Sequence, residues 1–486
     1  MAAVKSHGPS TAATGGQTGV GATPKNGKLS WKEKISYGFG DLGNGFMFDL
    51  GQAYLTKFYT DVALIAPGIV SVIFAVTKIY DAFMDPIAGV FVDARKVGPK
   101  GKFRPVMMVG AIVLSILTIV TFTMPDFPMW LRIVYAFVTY MAWGTVYSFT
   151  NLPYVGLANV MTRDVDERAQ LATTRQAGSL GAQWITGVAF IPIVMLFSDS
   201  DGNVTTFHGY AVAACIMAAL GLGCFAVTYF NCKEHIKINR QKTGNRKKEG
   251  VGAYLKVVFT NKPLLAIILM TLFTISAMNT NNAMMLYFAQ YNLGNQGLQP
   301  VINFIQMGCS VVAVLSIPWL VKHFGKKPVA IVCFVVGAAA NLINFLLPTN
   351  LITFIVFVTI GYVCLAIPNG ITWAFVNDVI DYGEWHTGIR KEGVTVAAFN
   401  FSRKLAQSLA AVITGGILAV TGYVANQEQS EATLAGIKGA MTLYPAVALF
   451  MAMLILFLLY GISDNKFREI AKDLDEGRWE KGKLGE

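Results

Sequence analysis

Residues 233–250, KEHIKINRQKTGNRKKEG, lie close to the midpoint of the 486-residue chain and are strongly basic. The stretch has no apolar periodicity, which indicates a linker. Apolar segments of about 20 residues, each long enough to cross a bilayer, flank it on both sides. Six precede it and six follow it, and the sequence predicts helices over 36–59, 65–92, 105–124, 130–160, 173–198, 209–230, 262–291, 299–322, 328–347, 351–377, 394–423 and 436–462.

The composition excludes the soluble globular classes. Hydrophobic residues make up 54% of the chain and charged residues 14%, against about 25% charged residues in a typical soluble domain. The formal net charge of +11 does not require a nucleic-acid partner, because basic residues gather in the cytoplasmic loops of membrane proteins. We therefore expect the lipid bilayer as partner and no nucleic acid.

The basic residues also predict the orientation. When the predicted loops are assigned to alternate sides, one side receives 33 of the 39 Lys and Arg residues and the other receives Lys57, Arg132 and Lys438. This asymmetry predicts a multi-pass protein of the plasma membrane with both termini in the cytoplasm. The predicted divisions are a disordered cytoplasmic tail (1–34), an N-terminal six-helix bundle (35–232), a cytoplasmic loop (233–261), a C-terminal six-helix bundle (262–462) and a cytoplasmic tail (463–486).

The two halves share a local pattern. Residues 93–105 and 323–328 each form a short basic glycine-containing turn that ends in proline, between the second and third helices of their half. Two six-helix halves are typical of major-facilitator transporters, whose substrate site lies between the halves near the midplane. The alternatives are a channel or an intramembrane enzyme, but the sequence shows no charge rings or filter repeats.

Cysteine and histidine give no sign of a metal or cofactor. The six cysteines form no CxxC pair, and none of the five histidines shows metal-ligand spacing. We therefore predict a protein that is not an enzyme and has no cofactor.

Several ionisable residues fall inside the predicted spans, where each costs about 2.5–3.5 kcal/mol at a helix centre. Such residues indicate a functional site by default. Asp81 and Asp85 are four residues apart, so their carboxylates share one helix face, and together they suit a site that binds a proton or another cation. The alternative is local neutralisation by Lys78. The remaining charges are Asp41, Asp49, Lys57, Arg403 and Lys404.

Polar and aromatic residues alternate along the fourth predicted helix, and the tenth carries Asn369 and Trp373 four residues apart. Such stripes are more often plain packing. Interleaved amide and hydroxyl groups, however, suit a sugar cavity, in which aromatic rings cover C–H faces and polar groups bind hydroxyls. The stripe of the fourth helix comprises Trp143, Tyr147, Ser148, Asn151 and Tyr154.

Six motifs together resemble the glycoside–pentoside–hexuronide:cation symporters, the melibiose-permease branch of the major facilitator superfamily. They are SYGFGDLGNGF, FYTDV, YDAFMDP, GKFRP, NLPY and DYGEWHTGIRKEG. The resemblance extends from about Lys34 to Leu474 and is closest to glucuronide and xyloside carriers. It implies sugar–cation symport by alternating access. Matching the family's cation site residue by residue gives Asp81, Asp85, Ser148, Asn400 and Lys404.

The sugar site departs from the melibiose-permease pattern. The two aspartates that bind sugar in those permeases align with Gly45 and Asn151, so Asp49 and Gln52 are expected to supply the missing hydrogen bonds. Met84 replaces an asparagine between the helix-II carboxylates, and a thioether is a poor Na⁺ ligand, which favours protons over Na⁺. The predicted substrate-binding residues are Asp49, Gln52, Tyr147, Asn151, Tyr154, Arg175, Trp373 and Lys404.

The motif DYGEWHTGIRKEG predicts a cytoplasmic ion-pair latch between transport states. Its members are Asp381, Glu384 and Arg390, and Asp93 with Arg104 is the predicted counterpart in the first half. We thus expect a monomeric, proton-coupled sugar importer, with Na⁺ coupling or a non-transporting sugar sensor as alternatives. The sequence leaves open whether the sugar is neutral or acidic.

Overall fold

The computed structural model describes residues 28–94, 98–99, 101–162, 164–198, 207–236, 261–388, 392–476 and 478. These residues are almost entirely helical. The helices are α1 (Trp31–Asn44, Gly45–Asp49, Leu50–Lys57 and Phe58–Val62), α2 (Pro67–Ala94), α3 (Phe103–Thr121), α4 (Met129–Met161), α5 (Val165–Leu196), α6 (Phe207–Asn231), α7 (Lys262–Tyr287 and Phe288–Asn292), α8 (Leu298–Phe324), α9 (Lys326–Leu346), α10 (Leu351–Thr387), α11 (Glu392–Val420), α12 (Glu431–Lys438, Gly439–Leu443 and Tyr444–Leu458) and the short α13 (Asp464–Asp475).

Each predicted segment coincides with one of the helices α1 to α12. Within the described part of the chain, ten helices are long and apolar enough to cross a membrane by length and composition. Helices α1 and α4 fall outside that set, because charges interrupt the first and polar aromatic residues the second. The count of twelve spans therefore stays a prediction.

Helix α10 is longer than predicted. It continues ten residues past the expected end at 377 and stops at Thr387, where Gly388 adopts a left-handed conformation with φ 75°. Glycine accepts this conformation without steric cost and commonly ends helices. The first half of DYGEWHTGIRKEG is therefore helix and lies beyond the end that was predicted for the tenth segment.

The apolar side chains form separate cores. One cluster is built mainly from α1 to α6, with Leu286 of α7, and two others are built from α7 to α12 and the segments that join or follow them. Glycines allow the helices of the first cluster to approach closely: a Cβ built on Gly178 of α5 would lie 2.1 Å from the carbonyl oxygen of Gly38 in α1. Small residues at such crossings are typical of packed membrane helices.

Helix α1 is interrupted by two π-helical turns, Gly45–Asp49 and Phe58–Val62. A π turn adds a residue to the helical repeat and often marks a functional site. The turns carry the two aspartates Asp49 and Asp61, so each interruption changes the direction of one acidic side chain.

The second π turn contains a buried ion pair. The Lys57 ammonium lies 2.5 Å from the Asp61 carboxylate, and their side chains are 1% and 2% exposed. Three tyrosines surround the pair. Tyr423 donates a hydrogen bond of 2.6 Å to Asp61, and the ring centroids of Tyr287 and Tyr291 lie 4.4 and 4.5 Å from the Lys57 nitrogen. These tyrosines belong to the second half of the chain, so the pair joins the two halves.

Further contacts between the halves lie at the same end of the molecule. Gln299 of α8 donates to the Tyr54 hydroxyl of α1 at 3.0 Å, and Asn303 donates to the Gly187 carbonyl of α5 at 3.0 Å. We call this end, defined by Lys57, Asp61 and the three tyrosines, the closed end. The opposite end, at which α1 begins and α12 ends, is called the basic end.

At the basic end, the buried ion pairs that the structure describes stay within one half. Lys34 of α1 contacts Glu167 of α5 at 2.8 Å. In the second half, Lys326 of α9 contacts Asp378 of α10 at 2.5 Å, and Tyr460 donates to the same carboxylate at 3.2 Å. These pairs hold the helices of each half together without connecting the halves.

The Lys57–Asp61 pair makes a prediction about stability. Lys57→Met leaves a buried carboxylate without its cation and should lower the free energy of unfolding by about 3–5 kcal/mol. The double variant Lys57→Met/Asp61→Leu removes both charges and should recover most of that loss. Thermal unfolding of the detergent-purified variants measures both effects. A single variant as stable as the native protein, or a double variant no more stable than the single one, would contradict this account.

Candidate functional site

An ion pair joins the two halves halfway along their helices. Lys404 of α11 lies 2.5 Å from the Asp85 carboxylate of α2, and Ser148 of α4 donates to the other Asp85 oxygen at 2.6 Å. The structure thus brings together three of the five residues predicted for cation coupling. Asp85 thus contacts one side chain from each half, Ser148 and Lys404. A change in the charge of Asp85 therefore alters the contact between the two halves.

The fourth residue, Asp81, lies one turn before Asp85 and is buried. Lys404 donates to its backbone carbonyl at 2.9 Å, whereas its Oδ1 atom has no hydrogen-bond partner among the described residues. Gly144 of α4 makes room for this carboxyl, since a Cβ there would lie 2.6 Å from Oδ1. Burying an oxygen without a hydrogen-bond donor costs free energy. A proton or cation bound at this Oδ1 atom would offset that cost.

The fifth residue, Asn400, is exposed on α11, and the structure gives it no hydrogen bond within the described part of the chain. Lys78, rather than Asn400, lies beside the carboxylates. It is buried, its nitrogen lies 5.1 Å from the centroid of the Phe48 ring, and its charge acts on Asp81. Lys78 is therefore close enough for local neutralisation, and both the cation site and this alternative stay predictions.

A second polar cluster joins α1, α4 and α5. Arg175 donates to Asp41 at 2.9 Å, and Asn44 donates to the Asn151 side-chain oxygen at 3.2 Å. Asn44 also lies 3.4 Å from Asp41. The predicted substrate residues Arg175 and Asn151 are thus connected through two α1 residues for which we predicted no role.

Asp49 lies near Gly45, as expected, but the helical geometry differs. The expectation assumed 100° per residue, whereas Gly45–Asp49 is a π turn closed by a hydrogen bond from Leu50 to Gly45. A Cβ built on Gly45 would nevertheless lie 3.6 Å from an Asp49 oxygen. Asp49 is partly exposed and forms no hydrogen bond or ion pair with the residues that the structure describes. The side chain of its predicted neighbour Gln52 lies outside those residues.

The aromatic stripe of α4 divides into core and partly exposed members. Tyr154 is fully buried, stacks on Tyr37 and donates to the Tyr37 carbonyl at 2.7 Å. The structure therefore places Tyr154 in the core, because glycine at position 40 lets its ring pack against α1. Tyr147 stacks on Phe48 at 3.8 Å and is only partly buried. On α10, Trp373 is 45% exposed.

The predicted latch can be described only in part. The side chain of Asp93 and residue Arg390 lie outside the described residues. Arg104 donates to the Tyr229 carbonyl at the end of α6 and lies over the Tyr229 ring. Asp381 and Glu384 lie one turn apart on the basic end of α10.

Three features of the charged residues were not predicted from the sequence. Lys57 and Asp61 are four residues apart, a spacing that could have indicated their ion pair. Asp378 also escaped notice, because the tenth segment was predicted to end at 377, whereas the helix continues to Thr387. Arg403 was recognised as an intramembrane charge but given no role. No sequence signal identifies the tyrosines that surround Lys57, since they come from distant segments.

Comparison with known proteins identifies the fold and the family. The structure is similar to that of a D-xylose-proton symporter, with a TM-score of 0.65, 12% identity and coverage of 90% of this chain and 99% of that one. The chain is 47% identical over 450 residues to the uncharacterized symporter YjmB of Bacillus subtilis, covering 92% of this chain and 96% of the relative. It is 35% identical over 450 residues to a putative sulfoquinovose importer of Escherichia coli, covering 92% and 94%.

The family model described as MFS/sugar transport protein matches residues 36–464. These similarities confirm the resemblance to the sugar–cation symporters and the major facilitator fold, without fixing the number of spans. The chain therefore belongs to the MFS/sugar transport protein family, and it is a sugar transporter of the major facilitator type rather than an enzyme.

Proposed function

We propose that the protein couples the import of a sugar to the entry of a proton by alternating access. The observation that carries this proposal is the Lys404–Asp85 contact of 2.5 Å between the two halves. A proton on Asp85 removes the negative charge that holds Lys404. Proton binding therefore changes the attraction between α2 and α11, the helices that must move relative to each other when access alternates.

The proposed arrangement places the basic end in the cytoplasm of the cell, with the closed end outside. Residues 35–232 and 262–462 form the two moving bundles, joined by the cytoplasmic loop 233–261, and the monomer sits in the plasma membrane. In this orientation the tyrosines around Lys57 and Asp61 seal the outer entrance. The contacts between halves at the closed end then correspond to a conformation that faces the cytoplasm.

Protons suit this site better than Na⁺. A Na⁺ ion would need several oxygen ligands, and the Lys404 ammonium already lies on one side of Asp85. The neighbouring residue Met84 offers a thioether, which is a poor ligand for hard cations. A proton needs only one carboxylate oxygen, and the unpartnered Oδ1 of Asp81 offers a second position.

The Asp85→Asn variant tests the coupling. The amide keeps the shape but carries no charge to exchange with a proton, so uphill accumulation of sugar should be lost while sugar exchange across the membrane continues. Asp126→Asn is the matched control, since the Asp126 side chain is 99% exposed. Radiolabelled sugar uptake into energised vesicles measures accumulation. Uphill accumulation by Asp85→Asn would place the coupling site elsewhere.

The identity of the cation has its own test. Addition of sugar to de-energised cells should acidify the cytoplasm, because each sugar enters with a proton. In energised cells, a protonophore should abolish accumulation. A pH-sensitive fluorescent probe inside the cells reports the change. Transport that requires Na⁺ and ignores the pH gradient would overturn proton coupling and leave sugar symport intact.

Asp49 is proposed to bind the sugar. Its carboxylate forms no ion pair with the described residues and is partly exposed, so its acceptor oxygens remain available for hydroxyl groups. Charge-assisted hydrogen bonds contribute about 1.5–3 kcal/mol each, and Asp49→Ala should therefore weaken sugar binding by roughly tenfold or more. Calorimetry on the purified variant measures the affinity, with Asp126→Ala as control. Unchanged affinity in folded Asp49→Ala would exclude this role.

A further inference from the structure

Arg403 and Lys404 are neighbours in α11, but their side chains face different surroundings. Consecutive residues of an α-helix diverge by about 100°. Lys404 faces α2, where it contacts Asp85 and the Asp81 carbonyl. Arg403 shares neither contact. Among the described residues, the Arg403 guanidinium has no hydrogen-bond acceptor and no carboxylate within ion-pair distance.

The groups whose charges act on Arg403 belong to the other half of the molecule. They are Tyr147 of α4 and Arg175 of α5. Arg403 therefore lies within electrostatic range of α4 and α5, and the side chains of Arg403 and Tyr147 are both partly exposed. Arg175 has its own carboxylate, Asp41, at 2.9 Å. Of these two neighbouring guanidinium groups, only that of Arg175 has an acidic partner among the described residues.

The ionisable side chains of this region carry no net charge when all of them are ionised. The described residues provide four acids and four bases: Asp41, Asp49, Asp81, Asp85, Lys78, Arg175, Arg403 and Lys404. When a proton binds for transport, as proposed above, one positive charge remains in excess. A buried excess charge is costly unless a partner of opposite sign arrives. An anionic group on the sugar would supply that partner.

An aromatic surface lies close to Arg403. Phe399 precedes Arg403 by one turn of α11, so the two share a helix face. Trp373 of α10 packs against Phe399 with ring centroids 5.1 Å apart and an interplanar angle of 73°, and it remains 45% exposed. An exposed indole can cover the C–H face of a sugar ring. The neighbourhood therefore offers both a ring surface and an unpaired cation.

We infer that Arg403 selects acidic sugars by binding a carboxylate or sulfonate group on the substrate. The inference rests on the proposed sugar–proton symport and names its substrate class. A guanidinium presents a planar pair of donors that matches two oxygens of such a group. Lys404 and Arg175 contact Asp85 and Asp41, and the charge of the buried Lys78 acts on Asp81. Arg403 is therefore the cation left for the substrate.

The test compares matched sugars on purified protein. Binding of D-glucuronate, a hexose 6-sulfonate and neutral D-glucose is measured by calorimetry for the native protein and for Arg403→Gln. The native protein should prefer an acidic sugar to glucose by at least roughly tenfold, and Arg403→Gln should lose roughly tenfold to a hundredfold in affinity for that acid only. Whichever acid binds more tightly identifies the anionic group.

Two further variants separate recognition from folding. Arg403→Lys keeps the charge without the planar pair of donors, so it should retain part of the preference for the acid. Arg468→Gln removes the same type of charge from exposed α13 and should change nothing. Equal weakening of glucose and glucuronate in Arg403→Gln would indicate a merely structural role and overturn the inference.

The failure of the inference can be distinguished from the failure of the proposed function. Proton-driven accumulation of neutral sugars, with no preference for acids, would overturn the selection by Arg403 and leave symport intact. A folded protein that binds acidic sugars but does not take up protons with them would overturn the symport mechanism itself.

Discussion

The cost of placing charge inside a membrane governs this structure. Each charged side chain at a helix centre costs a few kcal/mol in apolar surroundings, and such a residue persists when a partner offsets the cost. Within the described part of the chain, three ion pairs meet this requirement between the helix ends: Lys57–Asp61, Arg175–Asp41 and Lys404–Asp85. The first and third also connect the halves of the molecule, so charge compensation and the contact between halves depend on the same atoms.

The two connecting pairs differ in burial, and this difference suits different tasks. Lys57 and Asp61 are almost fully enclosed, and tyrosine hydroxyls and rings from the other half surround them. Asp85 is 37% exposed on its side chain, so water and protons can reach it. The buried pair stabilises the closed end, whereas the accessible pair can respond to protonation. In the proposed cycle, the closed-end contacts stabilise this conformation, and protonation of the accessible pair shifts the balance between conformations.

The sequence predicted the helices well because a bilayer imposes a length and a polarity that any segment must satisfy. It also predicted Asp85, Ser148 and Lys404 as neighbours, through resemblance to a family. It did not predict which residues would meet across the halves, since the tyrosines near Lys57 lie more than two hundred residues away in the chain. The π turns of α1 escaped prediction for another reason. Sequence periodicity assumes a regular helix, and the extra residue at Asp49 becomes visible only in three dimensions.

Proton uptake on sugar binding tests the central claim most directly. Purified protein in weakly buffered solution is mixed with saturating sugar, and a pH indicator records the protons taken up. If sugar and proton bind together at the carboxylates beside Lys404, the native protein should take up close to one proton per molecule, and Asp85→Asn should take up none while still binding sugar. Sugar binding without proton uptake by the native protein, or equal uptake by Asp85→Asn, would contradict the account.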